Sequence, residues 1–469
     1  MHALVIDDDP QMRKFVCNVL REEGWELTEA ASAEQAFELI DEHDWSVVFC
    51  DVVMGGADGF SVLKRFKEMQ PAAKVVLMTG DGNASGAVSA TSFGAYDYLL
   101  KPFGPEELQS LSRALRDQLA SRPTRRSRAS LGAVGYQADI GLLGRSEVFI
   151  NVMKQVGRVA TTNLPVLLTG ESGTGKEVVA SSLHNHSSRA AQPFVAVNCG
   201  AISSELIESE LFGHVKGSFT GAERDRRGLW EEADNGTVFL DEITETTPAF
   251  QVKLLRALQQ GEIRRVGSNH TQRVDVRVIA ASNRNVEEEV EAGRFRKDLF
   301  YRLNAVSIRL PPLRDRPEDI LLLAKSFAER VYSLSPEVKF SVAALEMLEK
   351  YSWPGNIREL ENAVVRATAI CDGTIRATDL PERVQQYCKL LAENHTAQAS
   401  VGTAPPRVED WTTLSVVEGR YVEKVLGYTG GNKQAAARLL EVDRKTLDRM
   451  IKRHKIIVSR GASHAAQVA

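Results

Sequence analysis

Two groups of residues in this 469-residue chain have the types and spacing for phosphate chemistry. In the first, four short apolar runs each lead into a polar residue. "ALVID" ends in Asp7 and is followed by Asp8, "VVFCD" ends in Asp51, "KVVLMT" ends in Thr79, and "YDYLL" precedes Lys101. Three converging carboxylates repel one another unless a cation joins them. Oxygen ligands suit Mg²⁺, which also takes phosphate oxygens. Thr79 and Lys101 could then contact the same phosphoryl group. In the second group, "LPVLLTGESGTGKEVVA" reads as an apolar strand, a glycine-rich turn and a helix. Backbone N–H groups of such a turn (Gly170, Glu171, Ser172, Gly173, Thr174, Gly175) cradle phosphates, and Lys176 reaches the β- and γ-phosphates of a nucleotide. Glu177 stands where Ser or Thr is usual. Downstream, "GTVFLDEI" ends a second apolar strand in Asp241 and Glu242. Asp241 can hold Mg²⁺, directly or through water, and Glu242 can polarise the attacking water. "DVRVIAASNRN" supplies a third buried strand ending at Asn283.

These residues need a frame. Apolar strands alternating with amphipathic stretches such as "PQMRKFVCNVLREEG" imply a parallel sheet with helices on both faces. Its active site sits at the carboxyl ends of the strands, where the polar residues fall. A chain of this length is expected to hold roughly three domains. With 43% hydrophobic and 26% charged residues the composition is that of a globular protein. Net charge is −4, so affinity for nucleic acid must come from a local basic patch. No signal peptide is expected, since the start runs straight into acidic residues, and no apolar run reaches the ~18 residues of a membrane span. Five scattered cysteines without a CxxC pair suggest reduced thiols in a cytoplasmic protein.

Three further stretches stand out. "GRFRKDLFYRLN" carries Arg296 and Arg302, which read as surface salt-bridge partners or as cations offered to a neighbouring subunit's γ-phosphate. "HVKGSFTGAER" places Phe219 on a glycine-rich loop, where a ring either folds back and packs or reaches a partner. Near the end, "NKQAAARLL" and "DRKTLDRMIKRHK" are two short helices joined by a tight turn near Glu441. Between Glu441 and Arg460, seven basic residues face three acids. Helix, turn, basic helix reads as helix-turn-helix. Arg444, Lys445, Thr446 and Arg449 are the leading DNA contacts, with Lys452 and Arg453 on the same basic helix.

The first 119 residues, with "KPF" at Lys101, resemble the receiver domain of two-component response regulators. The resemblance implies that Asp51 accepts the phosphoryl group, that Asp7 and Asp8 help hold Mg²⁺, and that Thr79 and Tyr98 form the switch pair. Gly55 replaces the family's usual Pro. Residues Leu142 to Gln386 resemble the AAA+ domain of NtrC-like, sigma-54-dependent activators, whose own Walker A form is "GESGTGKE". That resemblance implies an ATPase using ATP and Mg²⁺, with Asn198 coordinating Glu242. It also implies Asn283 as sensor I, Arg296 and Arg302 as trans-acting fingers, Arg358 in "WPGNIREL" as sensor II, and a ring, usually hexameric. "GSFTGA", comprising Gly217, Ser218, Phe219, Thr220, Gly221 and Ala222, matches the GAFTGA loop that grips sigma-54, with Ser218 in place of Ala. The C-terminal segment resembles the Fis-type DNA-binding domain, with Glu441 and Asp448 departing from the usual Gly and Tyr.

The expected organisation is α/β. A doubly wound receiver (1–120) and a linker (121–139) lead to an AAA+ core (140–310) with a helical lid (311–388). A second linker (389–410), an all-α helix-turn-helix domain (411–458) and a tail (459–469) follow. The expected function is ATP-dependent remodelling of sigma-54 RNA polymerase from upstream promoter DNA, controlled by a histidine kinase through Asp51. Self-association from dimer to hexamer and a cytoplasmic location, without membrane contact, complete the expectation. Two alternatives are a sigma-54-independent DNA-binding regulator with a residual AAA+ domain and a general AAA+ remodelling enzyme. The first would be favoured by loss of Phe219-Thr220, which are present, and the second is opposed by the basic C-terminal helix.

Overall fold

The alternating apolar and amphipathic stretches become two five-stranded parallel sheets in the computed structural model. The structure describes residues 1–80, 82–120, 142–203, 206–219, 222–331, 338–399, 414–429, 432–440, 442–454 and 456. The first expected linker, the tail, Glu441, Thr220 and Gly221 lie outside the described residues.

The first sheet is built from β1 (His2–Ile6), β2 (Glu26–Ala30), β3 (Val47–Asp51), β4 (Lys74–Thr79) and β5 (Asp97–Leu100), ordered β2-β1-β3-β4-β5. Helices α1 (Pro10–Glu22), α2 (Ala33–Leu39), α3 (Gly59–Met69), α4 (Ala84–Ser92) and α5 (Pro105–Ala120) cover it. Strand β3 is buried along its whole length, which is why its apolar run is continuous rather than alternating. Helix α1 starts at Asp9, whose carboxylate accepts from Gln11 N at 2.8 Å, with Pro10 in the first turn where no donor is needed. That start puts Asp7 and Asp8 in the turn just past β1.

The second sheet runs β12-β6-β11-β8-β7: β6 (Val166–Thr169), β7 (Phe194–Asn198), β8 (Thr237–Asp241), β11 (Arg277–Ser282) and β12 (Val306–Arg309). A small hairpin of β9 (Glu262–Arg264) and β10 (Thr271–Arg273) stands outside it. Around it lie α6 (Glu147–Ala160), α7 (Lys176–Asn185), α8 (Ile207–Phe212), α9 (Leu229–Glu232), α10 (Pro248–Gln260), α11 (Val286–Glu291) and α12 (Lys297–Leu303). The lid helices follow as α13 (Pro317–Val331), α14 (Val342–Lys350), α15 (Asn356–Ile370) and α16 (Glu382–Ala399), with the two-residue strands β13 (Lys339–Phe340) and β14 (Thr374–Ile375). They close on a separate core around Trp353, Phe327 and Leu360. Helix α16 continues into the stretch expected as the second linker, because "AENHTAQA" contains neither Gly nor Pro to stop it.

The chain divides into two compact units, Met1–Lys389 and Leu390–Ala469. The receiver-like sheet and the second sheet belong to one unit because α4 packs against α6. Helix α4, "ASGAVSATS", carries no charge, and all of its residues but Ser85 are buried. Such a helix is built to be covered on more than one side. Gly157 of α6 makes the approach possible, since a Cβ there would sit 2.4 Å from the Val88 carbonyl oxygen. Lys154 pairs with Asp97 at 2.9 Å, and Arg158 donates to the Tyr96 carbonyl at 2.9 Å, fixing the crossing. In the second unit, α17 (Leu414–Tyr428), α18 (Lys433–Leu439) and α19 (Arg444–Arg453) bury Val422, Leu426, Ala436, Leu447 and Ile451. Among the described residues no helix is long and apolar enough to cross a membrane.

Candidate functional site

At the carboxyl edge of the first sheet, Lys101 donates to Asp7 and to Asp51 at 2.7 Å each. Asp7 is fully buried, Asp51 is 6% exposed, and Thr79 ends the neighbouring strand β4 at 1%. Carboxylate oxygens of Asp7, Asp8 and Asp51 lie within 4.8 Å of one another, a hard-oxygen set that fits Mg²⁺. Burial raises the Asp7 pKa, against the pull of Lys101. Burial opposes the charge on Lys101, yet its bonds to Asp51 and Asp7 hold its pKa above the usual value. Gly55, which departs from the expected Pro, has an N–H that Pro would lack, and it donates to Asp8 at 3.3 Å. Tyr98 is buried, with its hydroxyl against Gly86 of α4. The five acidic, hydroxyl and lysine residues read from strand ends are therefore brought together.

The second sheet repeats the plan. Gly175 caps α7 in a left-handed conformation, and Lys176 opens the helix. Lys176 Nζ donates to the carbonyls of Gly170 and Glu171 at 2.9 Å each. Burial lowers its pKa, while the charges of Asp241 and Glu242 oppose the shift. The register of β11 on β6 pairs Ser282 with Thr169, so Asn283 emerges beside the loop. The pairing of β7 with β8 sets Asn198 opposite Asp241. Glu242 follows with φ +55°, a left-handed conformation costly for a non-glycine residue, at the strand end where chemistry is expected. Asn198 Oδ1 accepts from the N–H groups of Gly200 and Ala201 at 2.9 Å each, and the Glu242 carboxylate lies over Gly200. Both side chains thus converge on Gly200, with the Asn198 Oδ1 used by its own loop backbone. Glu177 is exposed in the first turn of α7, where an acid complements the helix dipole.

Arg296 and Arg302 are not brought to this centre. Arg296 makes two bonds to Asp298, at 3.0 and 2.7 Å, and Arg302 donates to the Leu258 carbonyl at 3.0 Å. Arg358 of α15 does reach the phosphate loop, donating to Ser172 Oγ at 3.3 Å. Sequence reasoning missed three neighbours on that side, Arg314, Arg316 and Asn356. The signal was there in Glu171, an acid within a loop built for anions, which needs a cation beside it.

The Phe219 loop continues from this centre. β7 ends at Asn198, α8 follows, and the loop hangs from its end. Phe219 packs edge-on against His214, ring centroids 5.0 Å apart, yet stays 37% exposed. His214 is buried and shares a 2.7 Å hydrogen bond with Ser209 of α8. Gly217 N donates to the Ala222 carbonyl, and Ala222 N to that of Phe219, closing the turn. Ser218 Oγ is buried with no hydrogen-bond partner among the described residues.

In the second unit, Asp443 caps α19 by accepting from Lys445 N and Thr446 N. The Thr446 hydroxyl donates to the same carboxylate at 2.6 Å, so its hydroxyl proton is committed to the cap. Arg444, Lys445, Arg449, Lys452 and Arg453 are exposed along one helix. Asp448 pairs with Lys433 at 2.8 Å, which neutralises the acid that departs from the usual Tyr.

Comparison with known proteins identifies the domains in which these residues lie. Family models match for the response regulator receiver domain at residues 3–113 and the sigma-54 interaction domain at 142–309. The AAA+ ATPase lid domain matches at 314–396 and the bacterial regulatory protein Fis family at 413–454. The chain is 43% identical to the transcriptional regulatory protein ZraR of Klebsiella oxytoca over 449 residues, 95% of this chain and 97% of that one. It is 38% identical to the DNA-binding transcriptional regulator NtrC of Escherichia coli K12, over 96% of this chain and 97% of that one. A crystal structure of NtrX from Brucella abortus with ADP aligns over 97% of this chain and 99% of that one at 30% identity, with a TM-score of 0.49.

Proposed function

Because the chain belongs to the NtrC-like, sigma-54-dependent response regulators, we propose that Asp51 is its phosphorylation site and that Lys176, Asp241 and Glu242 carry its ATP hydrolysis. The protein is a two-component response regulator and an ATP-dependent transcription activator. Family membership sets aside the reading without sigma-54.

Asp51 Oδ attacks the phosphorus of an incoming phosphoryl group, and the leaving group departs with its electron pair. Mg²⁺ held by Asp7, Asp8 and Asp51 would supply positive charge to the phosphoryl oxygens. Lys101, already bonded to Asp51, follows the new charge, and Thr79 takes a phosphoryl oxygen. At the second sheet, backbone N–H groups of the loop and Lys176 bind the nucleotide phosphates, and Glu242 orients the attacking water. Asn283 reports the γ-phosphate side, Arg358 reaches the phosphates from the lid, and Asp241 would hold a second Mg²⁺. Arg296 and Arg302 complete the site of a neighbouring subunit in a ring, dimeric at first and hexameric when active.

The carrying observation is that Glu242 lies over Gly200, just past Asn198, and that α8 further along the same chain segment holds His214, on which Phe219 packs. A change at the γ-phosphate that moves Glu242 acts on the segment bearing the loop. Phe219, with Gly217, Ser218, Thr220, Gly221 and Ala222, then engages sigma-54 RNA polymerase, while α19 holds upstream promoter DNA. A histidine kinase in the cytoplasm supplies the phosphoryl group. Phe219→Ala tests the coupling. ATPase activity and DNA binding should stay within a few-fold, while the nucleotide-trapped complex with sigma-54 is lost, since one aromatic anchor is worth about 2 kcal/mol or more. Normal promoter opening by this variant would make Phe219 a packing residue of the loop.

A further inference from the structure

The phosphate loop carries an acid, Glu171, in the turn meant for the triphosphate. A carboxylate there repels the ligand unless a cation takes its charge. Arg314, in the segment leading into the lid, does so with two bonds of 2.8 and 2.6 Å. Such paired, parallel bonds are the geometry in which a guanidinium binds a carboxylate most strongly. Asn356, the first residue of α15, adds a donor to Glu171 at 3.2 Å and another to the Ser172 carbonyl at 3.0 Å. Its Oδ1 accepts from Leu313 N at 2.8 Å. One fully buried side chain therefore joins the phosphate loop, the segment bearing Arg314 and the lid helix. Asn356 holds φ +54°, a conformation that costs free energy in a non-glycine residue and persists because three partners fix it. The lid backbone joins in as well, with Ile357 N donating to the Gly173 carbonyl at 2.9 Å. Gly173 leaves room for this, since a Cβ there would meet the Gly355 oxygen at 2.4 Å. Arg358, one residue on, is thereby held at Ser172.

We infer that Glu171 is a positioning residue for nucleotide binding. Its carboxylate, gripped by Arg314 and Asn356, clamps the lid onto the phosphate loop and so holds Arg358 at the phosphates. The inference rests on the loop being the nucleotide site. The clamp lies away from the γ-phosphate-sensing pair Glu242 and Asn283, so it acts on ATP and ADP alike. Glu171 ionises more readily than a free carboxyl because Arg314 hydrogen-bonds it.

The test is a fluorescence titration of the full chain with ATP and with ADP, alongside turnover at saturating ATP. Glu171→Gln and Arg314→Ala should each weaken both nucleotides by the same factor, about five-fold for a partly exposed bidentate pair, with kcat within about two-fold. The double variant should bind no worse than Arg314→Ala alone, because each change removes the same contact. Arg314→Lys, which keeps the charge but not the fork, should recover part of the affinity. Unchanged or tighter binding in Glu171→Gln would overturn the inference, and so would losses that multiply in the double variant or a loss confined to ATP. Lys176→Ala separates the two levels. If it binds nucleotide normally, the loop is not the nucleotide site, whatever the clamp variants do.

Discussion

The two phosphate centres use the same construction and differ in completeness. Each hangs its polar residues on the carboxyl ends of a parallel sheet. In the receiver, one domain supplies every group: Lys101 already touches both Asp7 and Asp51, and Thr79 ends the adjacent strand. In the ATPase, Lys176, Asp241, Glu242 and Asn283 share one edge. The cations expected at the γ-phosphate, Arg296 and Arg302, are instead occupied by Asp298 and the Leu258 carbonyl. The difference teaches where control can enter. A self-contained site can take up a phosphoryl group on a lone chain, whereas on the proposed reading, with Arg296 and Arg302 acting in trans, the ATP site waits for a second copy. The α4–α6 contact joins the two centres within one unit, with Ser89 of α4 reaching His186 at the end of the Walker A helix α7 (3.4 Å).

Three substitutions sharpen this contrast, and the largest effect belongs to the receiver. Asp51→Ala should abolish acetyl-phosphate labelling outright and leave nucleotide binding unchanged. Surviving label would move the acceptor to another carboxylate and break the picture of a single prepared site. Next, Glu242→Ala should slow hydrolysis by about 10²–10⁴, the usual contribution of a positioned base, while ATP still binds. Normal turnover in that variant would remove Glu242 from the chemistry. The smallest effect is at the output loop. Ser218→Ala deletes a buried hydroxyl that has no partner among the described residues, so the loop should gain about 1 kcal/mol. Slower amide exchange at Gly217 and Ala222 would record it, and faster exchange would mean that the hydroxyl finds a partner the resting loop needs.

Much of this was legible in the sequence because the signals were local. The strand-end acids, the G-x-x-x-x-G-K turn and Asp241-Glu242 each lie within a run whose period fixes its place. The strained Glu242 backbone fits the same logic, since chemistry sits where local rules are broken. What stayed hidden was pairwise and distant. Nothing near Glu171 announces that Arg314, 143 residues on, will neutralise it. Nothing in "ASGAVSATS" names Gly157 as the place where α6 meets it, although a helix with no charge was a sign that something covers it. Nothing beside Asp448, an acid on the basic helix, announces that Lys433 of the preceding helix holds its charge. Thr446, expected as a DNA contact, also gives its hydroxyl proton to the cap of its own helix.

The contrast stands or falls on whether a neighbour completes the ATP site, and mixing two inactive variants asks this directly. Arg302→Ala lacks the donated cation, and Glu242→Ala lacks the base in the receiving pocket. Removing a finger of this kind costs about 10³–10⁵ in turnover, so each variant alone should be silent. Mixed under conditions in which subunits exchange, the two should regain hydrolysis, because some interfaces then pair an intact Arg302 with an intact Glu242. Recovery that peaks near equal proportions is the result this account requires. Silence at every ratio, with exchange demonstrated by labelled subunits, would contradict it and place Arg302 in the service of its own chain.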